Sequence, residues 1–216
     1  LILISLLGVL SISALAVSEV TDAQVDAALG TDGSCQVTLT ANIRLDQPVA
    51  DLQFPLPGDS ANVTINGSRA RSRVENGVRY VDISGIAGKV AGNFSITFTY
   101  TLSDIITTNK AGLLELQLPV LSGFAYPVQA LEFSVTLPGA VPGKPAFSSG
   151  YHQTNIEKDI SYTVSGATIT GVAQVELKDH ETLMMSLLVS EDMFPQPRLV
   201  TPDFELVDTL ATVFTL

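Results

Sequence analysis

The most regular stretch of the chain runs from Cys35 to Leu45. Its odd positions are Cys35, Val37, Leu39, Ala41, Ile43 and Leu45, and Gln36, Thr38, Thr40, Asn42 and Arg44 lie between them. A two-residue period of this kind is a β-strand with one buried and one wet face, and it points the Cys35 side chain inward. The run before it, Val20–Ala28, sets Ala23, Val25 and Ala27 against Asp22, Gln24 and Asp26. Gly30-Thr31-Asp32-Gly33 between the two runs reads as a hairpin turn, because glycine relieves the steric cost of a tight reversal.

The pattern returns at Phe94, Ile96, Phe98, Tyr100 and Leu102, at Leu131, Phe133, Val135 and Leu137, and at Leu183, Met185, Leu187 and Val189. Shorter runs at Val49–Phe54, Val63–Ile65, Val78–Ile83, Leu113–Leu118, Ile160–Val164, Thr168–Val172 and Ala173–Leu177 complete the strand set. No helical stripe stands out before residue 200. Strands with a single apolar face must bury it against another sheet, so the expected class is all-β, built of antiparallel Ig-like sandwiches. Leu52–Gly58 and Leu131–Gly139 each end a strand in Leu-Pro-Gly, which suggests two tandem units. The polar stretch Ser103–Gly112 is the natural boundary. The expected division is a first subdomain over 17–106 and a second over 107–195.

Both ends read differently. Leu1–Val17 carries no charge and closes on Ala14-Leu15-Ala16, a small-x-small site, so 1–16 is expected to be a signal helix that begins inside the signal. Past Pro195 and Pro197, Thr201-Pro202-Asp203 reads as an N-cap, a proline in the first turn and an acid. Phe204, Val207, Leu210, Ala211 and Phe214 follow at helical spacing. Residues 196–216 are therefore expected to form a linker and a short helix leading toward a membrane segment.

Composition narrows the function. The 216 residues are 46% hydrophobic and 15% charged, enough apolar surface to fold rather than stay disordered. A net charge of -11 repels phosphate backbones and anionic lipids, which argues against nucleic-acid partners and polybasic membrane docking. The single cysteine, Cys35, excludes an internal disulfide. Its inward register marks an inert core thiol rather than a nucleophile.

Candidate chemistry is sparse. The two histidines, His152 and His180, have no second ligand at metal-binding spacing, and His180 sits in the polar turn Lys178-Asp179-His180-Glu181. The nucleophile elbow and the phosphate-cradling glycine loop are absent. Paired carboxylates remain as catalytic candidates; Asp32, or Glu157 with Asp159, are conceivable calcium ligands without the dense spacing of a calcium loop. In a chain without tryptophan, Tyr126, Tyr151 and Tyr162 are the candidate aromatics for a sugar-stacking platform. Three sequons begin at Asn62, Asn66 and Asn93, with Asn66-Gly67 foremost a turn signal and Asn93 on an outward strand face. No catalytic, cofactor-binding or metal-ligating residue is assigned, and no cofactor is expected.

The order of features resembles a known family. The strand, turn and Asp-Gly-Ser leading into a long alternating strand are followed by Leu118-Pro119-Val120-Leu121, Phe124-Ala125-Tyr126-Pro127-Val128 and Leu131–Gly139. This pattern, over about Val17 to Pro195, resembles the N-terminal domain of the bacterial membrane proteins grouped as DUF2207. The resemblance implies an extracytoplasmic β domain followed by transmembrane helices, with no established activity and no catalytic residues to carry over. The expected function is thus a non-enzymatic binding or scaffolding ectodomain of a membrane-anchored envelope protein. Its expected partner is another envelope protein or a cell-surface polymer, with the membrane reached through segments outside the folded body. The alternatives are a secreted carboxylate-dependent hydrolase acting on an envelope glycan, and an assembly module that accepts a partner strand at an exposed sheet edge.

Overall fold

A computed structural model of the protein describes residues 18–89, 91–149, 154–155 and 159–195. The alternating runs become strands with nearly the bounds their pattern implies: β1 (Glu19–Leu29), β2 (Cys35–Leu45), β3 (Gln53–Pro57), β4 (Ala61–Ile65), β5 (Ser68–Arg69), β6 (Ser72–Glu75), β7 (Val78–Asp82) and β8 (Gly92–Leu102). After these come β9 (Ile106–Thr108), β10 (Leu114–Leu121), β11 (Leu131–Thr136), β12 (Ala146–Ser149), β13 (Thr154–Asn155), β14 (Ile160–Ser165), β15 (Thr168–Ala173) and β16 (Leu183–Leu188). A single helical turn, α1 (Ser84–Ala87), follows β7.

Three sheets result. The largest has eight strands in the order β14-β15-β11-β1-β2-β8-β4-β5. A five-stranded sheet runs β13-β12-β16-β10-β9, and a three-stranded one β3-β7-β6. In the large sheet β2 lies antiparallel to β8 from Cys35↔Leu102 to Leu45↔Gly92, which lines up the inward residues of both strands. That face is buried throughout: Cys35, Val37, Leu39, Ala41, Ile96, Phe98 and Leu102 are all at most 1% exposed. Its other face is wet and rich in threonine, with hydroxyl pairs at Thr40–Thr97 (3.2 Å), Thr64–Thr99 (2.7 Å) and Thr163–Thr170 (2.8 Å). Cross-strand pairs of this kind add small increments to sheet stability.

The buried face is covered by both smaller sheets. Phe54 of β3 packs on Phe98 of the large sheet, with ring centroids 4.6 Å apart, and on Phe124, 4.7 Å away. At the other end Phe147 of β12 meets Phe133 of β11 at 5.6 Å and Tyr162 of β14 at 5.5 Å. The buried hydrophobic residues form one cluster reaching from Val20 to Phe194.

The all-β expectation holds. The strands on either side of the expected boundary after Ile106, however, share one sheet: β1 pairs in parallel with β11, from Ala23↔Leu131 to Ala28↔Thr136. The boundary itself falls inside β9. Parallel pairing puts the Leu-Pro-Gly repeat in different settings, since Leu56 belongs to β3 in the smallest sheet and Leu137 follows β11 in the largest. The run Ala173–Leu177 is no strand. β15 ends at Ala173, Gln174 N–H donates to the Asp159 carbonyl at 2.7 Å, and Leu177 only bridges Val128. β3 begins later than expected and continues through Pro55 and Pro57, which its position at a sheet edge allows because a missing N–H there costs no ladder bond. The expected signal over 1–16, including Ala14-Leu15-Ala16, and the expected helix within 196–216 lie outside the described residues.

Candidate functional site

The two smaller sheets turn their outer faces toward a common cleft of about 540 Å³. Strand alternation supplies its walls. On β3 and β7 alternation turns Phe54, Leu56 and Val81 into the core and Pro55, Pro57, Val78 and Tyr80 toward the cleft, where Pro55 is buried and the other three are half-buried. On β10 and β16 the same alternation presents Pro119 and Met184, which oppose one another in register. The polar side chains of the lining are Gln53, Asp59, Ser122, His180 and Thr182.

Two glycines hold the rims closed. A Cβ on Gly58 would overlap the Gly77 carbonyl, and one on Gly123 would overlap the His180 carbonyl. His180 itself has φ of 59°, a left-handed conformation, and donates its N–H to the Phe124 carbonyl at 2.6 Å. Beside the cleft, the Arg73 guanidinium lies 5.4 Å from the Tyr80 ring centroid, bonds Gln53 Oε1 through Nε (3.3 Å) and Nη2 (3.2 Å), and pairs with Glu75 at 3.0 Å.

Of the residues the sequence singled out, His180 alone lines this cleft. It does so from the turn the sequence places it in, closed by a Glu181 N–H bond to the Lys178 carbonyl at 3.1 Å. Glu181 accepts from the Ser149 hydroxyl and from the Lys178 N–H at 2.8 Å, so its carboxylate caps the turn. Asp32 is likewise a cap: its Oδ1 accepts from Ser34 N–H (3.0 Å) and Oγ (2.7 Å), bonds that hold its carboxyl below the usual range. Tyr126 stands edge-on to Phe124 at 5.4 Å, and Tyr162 packs on Phe147 at 5.5 Å. Asp159 precedes β14 and gives its carbonyl to Gln174. His152, Tyr151 and Glu157 lie outside the described residues. Among the described residues no three His, Cys, Asp or Glu side chains gather where a metal could be held.

The sequons serve local structure. Asn66 has φ of 48° and Gly67 φ of 77°, the paired positive values of a tight hairpin turn between β4 and β5, and Asn66 Oδ1 accepts from Thr97 N–H at 2.9 Å. Asn62, at φ 55°, sits in a bulge where the β4–β8 register shifts between Ala61 and Thr64. Asn93 is exposed opposite Arg44. Cys35 is fully buried, and desolvation pushes its thiol up to about 12. Burial, followed by the Cys35 and Asp59 charges, also pushes the Tyr100 phenol up.

A second concavity, of about 840 Å³, lies where the chain crosses from the large sheet to the small one, with Arg69, Arg71, Arg79 and Ser60 among its lining. Nothing in the reading of the sequence picked it out. The signal was nonetheless present: four of the chain's six arginines fall between Arg69 and Arg79, in a protein whose net charge is -11.

Among curated proteins none matches the chain. Solved structures are similar to the chain at low identity. Yeast LTA4 hydrolase in complex with Bestatin is 13% identical, with a TM-score of 0.49, over 78% of this chain and 28% of its own. An M1 zinc metallopeptidase from Deinococcus radiodurans is 10% identical, with a TM-score of 0.36, over 78% of this chain and 42% of its own. The chain thus spans well under half the length of these structures, and likenesses this distant say nothing about activity. Among the described residues no helix is long and apolar enough to cross a membrane. The family model described as predicted membrane protein (DUF2207) N-terminal domain matches residues 19–183, and the chain belongs to that family of membrane proteins.

Proposed function

We propose that this domain is the extracytoplasmic, non-enzymatic part of a membrane-anchored envelope protein, and that it binds an apolar, extended segment of another envelope protein in the cleft between the β3–β7 and β10–β16 pairs. The observation that carries this reading is the composition of the cleft. Its lining includes Pro55, Pro57, Val78, Leu121 and Met184, with one tyrosine ring, Tyr80, and a few polar side chains, Gln53, Asp59, Ser122, His180 and Thr182. A mostly apolar concavity with a few placed polar groups is the general form of a binding site. A polysaccharide would call for more stacking surface than one tyrosine provides. The hydrolase alternative requires two carboxyl groups about 5 to 9.5 Å apart across the site, and the cleft lining contains one carboxylate, Asp59.

The test uses the membrane-anchored protein in its native envelope, with a photo-crosslinking side chain in place of Val78. A discrete crosslinked partner is expected, and Tyr80→Asp should abolish it by placing a charge in the apolar wall. Labelling of the same position by a membrane-impermeant reagent in intact cells tests its side of the membrane. Crosslinking that Tyr80→Asp leaves undiminished would refute the cleft as the contact surface, and protection from the impermeant reagent would refute the orientation.

A further inference from the structure

The structure assigns a second site, separate from the cleft: we propose that the cavity between the β4–β5 and β6–β7 hairpins binds a phosphate group through Arg69, Arg71, Arg79, Ser60 and Ser72. The chain crosses from the large sheet to the small one at Ala70-Arg71, which brings the ends of both hairpins around one opening. The bulge at Asn62 bends β4 at this opening; bulges commonly re-aim side chains next to binding sites.

The positive charge here is only partly compensated. Among the described residues the ion pairs are Arg44–Glu19 and Arg73–Glu75. The register pairs Arg73 with Tyr80 and Val74 with Arg79, so Arg73 and Arg79 lie on opposite faces of the small sheet; Arg69, Arg71 and Arg79 line the cavity, and none of them is in an ion pair among the described residues. Asp82 offsets part of the Arg71 charge, and its carboxylate also accepts from Ser84 N–H at 2.9 Å. Clustering three guanidinium groups costs mutual repulsion that an anion would relieve.

Two buried groups at the same place lack hydrogen bonds. Ser60 is fully buried and its Oγ has no partner; Arg79 Nε is buried and has none either. Arg79 spends its other edges on Ser72 Oγ (3.1 Å) and the Gly58 carbonyl (3.4 Å). Ser72 accepts that bond, which leaves its own O–H free to donate. Buried polar groups are nearly always satisfied, so two orphans among the residues lining one cavity point to a missing acceptor. The unused donors come from different directions and from both charged and neutral groups. A tetrahedral phosphate, with up to two negative charges, accepts such a set better than a planar monocarboxylate does.

The experiment is calorimetric titration of the full chain at pH 7 and fixed ionic strength, made up with chloride. The probes are inorganic phosphate, sn-glycerol 3-phosphate and phosphatidylglycerol vesicles. Saturable binding of a probe is expected, weakened at least tenfold in the double variant Arg69→Gln/Arg71→Gln, whose altered side chains are exposed and whose folding is checked by circular dichroism. Binding of the two soluble probes identifies a free phosphate ligand, and binding of vesicles alone identifies a lipid headgroup. Ser60→Ala is expected to weaken binding while leaving the thermal midpoint unchanged or higher, a combination that a purely structural serine would not give. If the double variant fails to fold, Ser60→Ala carries the test by the same criterion. Absence of binding by all three probes, or unchanged affinity in the variant, overturns the assignment. Neither outcome bears on the apolar cleft, whose test is independent.

Discussion

Replacing Phe54 by alanine should destabilise the whole domain, not the small sheet alone. Phe54 is 1% exposed and stands between Phe98 of the eight-stranded sheet and Phe124 beside β10, at centroid distances of 4.6 and 4.7 Å. It therefore joins β3 of the smallest sheet, β8 of the largest and the segment that follows β10. Phe→Ala at a buried site costs about 3 to 5 kcal/mol, because burial is lost and a cavity remains. Phe54→Leu keeps most of the apolar area and gives up two aromatic contacts, each of about 0.5 to 1.5 kcal/mol, so about 1 to 3 kcal/mol is expected. Urea unfolding followed by far-ultraviolet circular dichroism is the suitable assay, since the chain has no tryptophan to report by fluorescence. Amide hydrogen exchange should then show β2 and β10 losing protection together. A loss below about 1 kcal/mol for Phe54→Ala would refute the reasoning. So would exchange that speeds up in β2 while β10 stays protected, since that would mean two independent cores.

Gly123→Ala should cost about 1 to 3 kcal/mol in urea unfolding, because its Cβ would overlap the His180 carbonyl and force the cleft rim apart; an unchanged midpoint would contradict the close approach. Gly171 lies opposite Phe133 in register and its missing Cβ is covered by that ring. Gly171→Ala should destabilise the protein alone but be tolerated in a Phe133→Ala background, so that a double-mutant cycle returns a clearly non-additive coupling. Cys35 should resist alkylation in the folded state at pH 8 and react on unfolding. Its thiol titrates near 9.0 when exposed and near 12 when folded, so the folded chain keeps a proton that the unfolded chain releases between those values. The contribution is therefore present below pH 9 and lost as pH rises toward 12. Cys35→Ala should flatten that part of the stability profile, read as urea midpoints at successive pH values.

The long strands were legible because each has one buried and one wet face. Cys35–Leu45 is matched residue for residue, and the Gly30–Gly33 turn closes as expected with a Gly30 N–H bond to Ser34 at 2.8 Å. Strands of two to four residues were not legible, because so short a run shows no period. β6, exposed along its whole length, has no buried face to betray it. β3 was curtailed at Phe54 because proline reads as a strand breaker unless the edge position is known. The arginine cavity escaped notice for a similar reason. A net charge of -11 averages over the chain, whereas Arg69 and Arg79 meet only because two hairpins end side by side.

The sequence by itself determined the all-β class, the inward register of Cys35, the turn at Asn66-Gly67 and the membership in a membrane-protein family. These follow from local rules: side-chain alternation, positive φ at Asn-Gly, and strand-and-turn motifs in a recognisable order. Tertiary structure alone decided which strands are neighbours. Alternation says that a strand has an inner face but not what covers it, so the parallel pairing of β1 with β11, more than a hundred residues apart in the chain, left no local mark. That pairing joins both halves of the chain into one sheet over a common core. The concave surfaces that could receive a partner arise from the same long-range choices, between strands whose proximity no local pattern records.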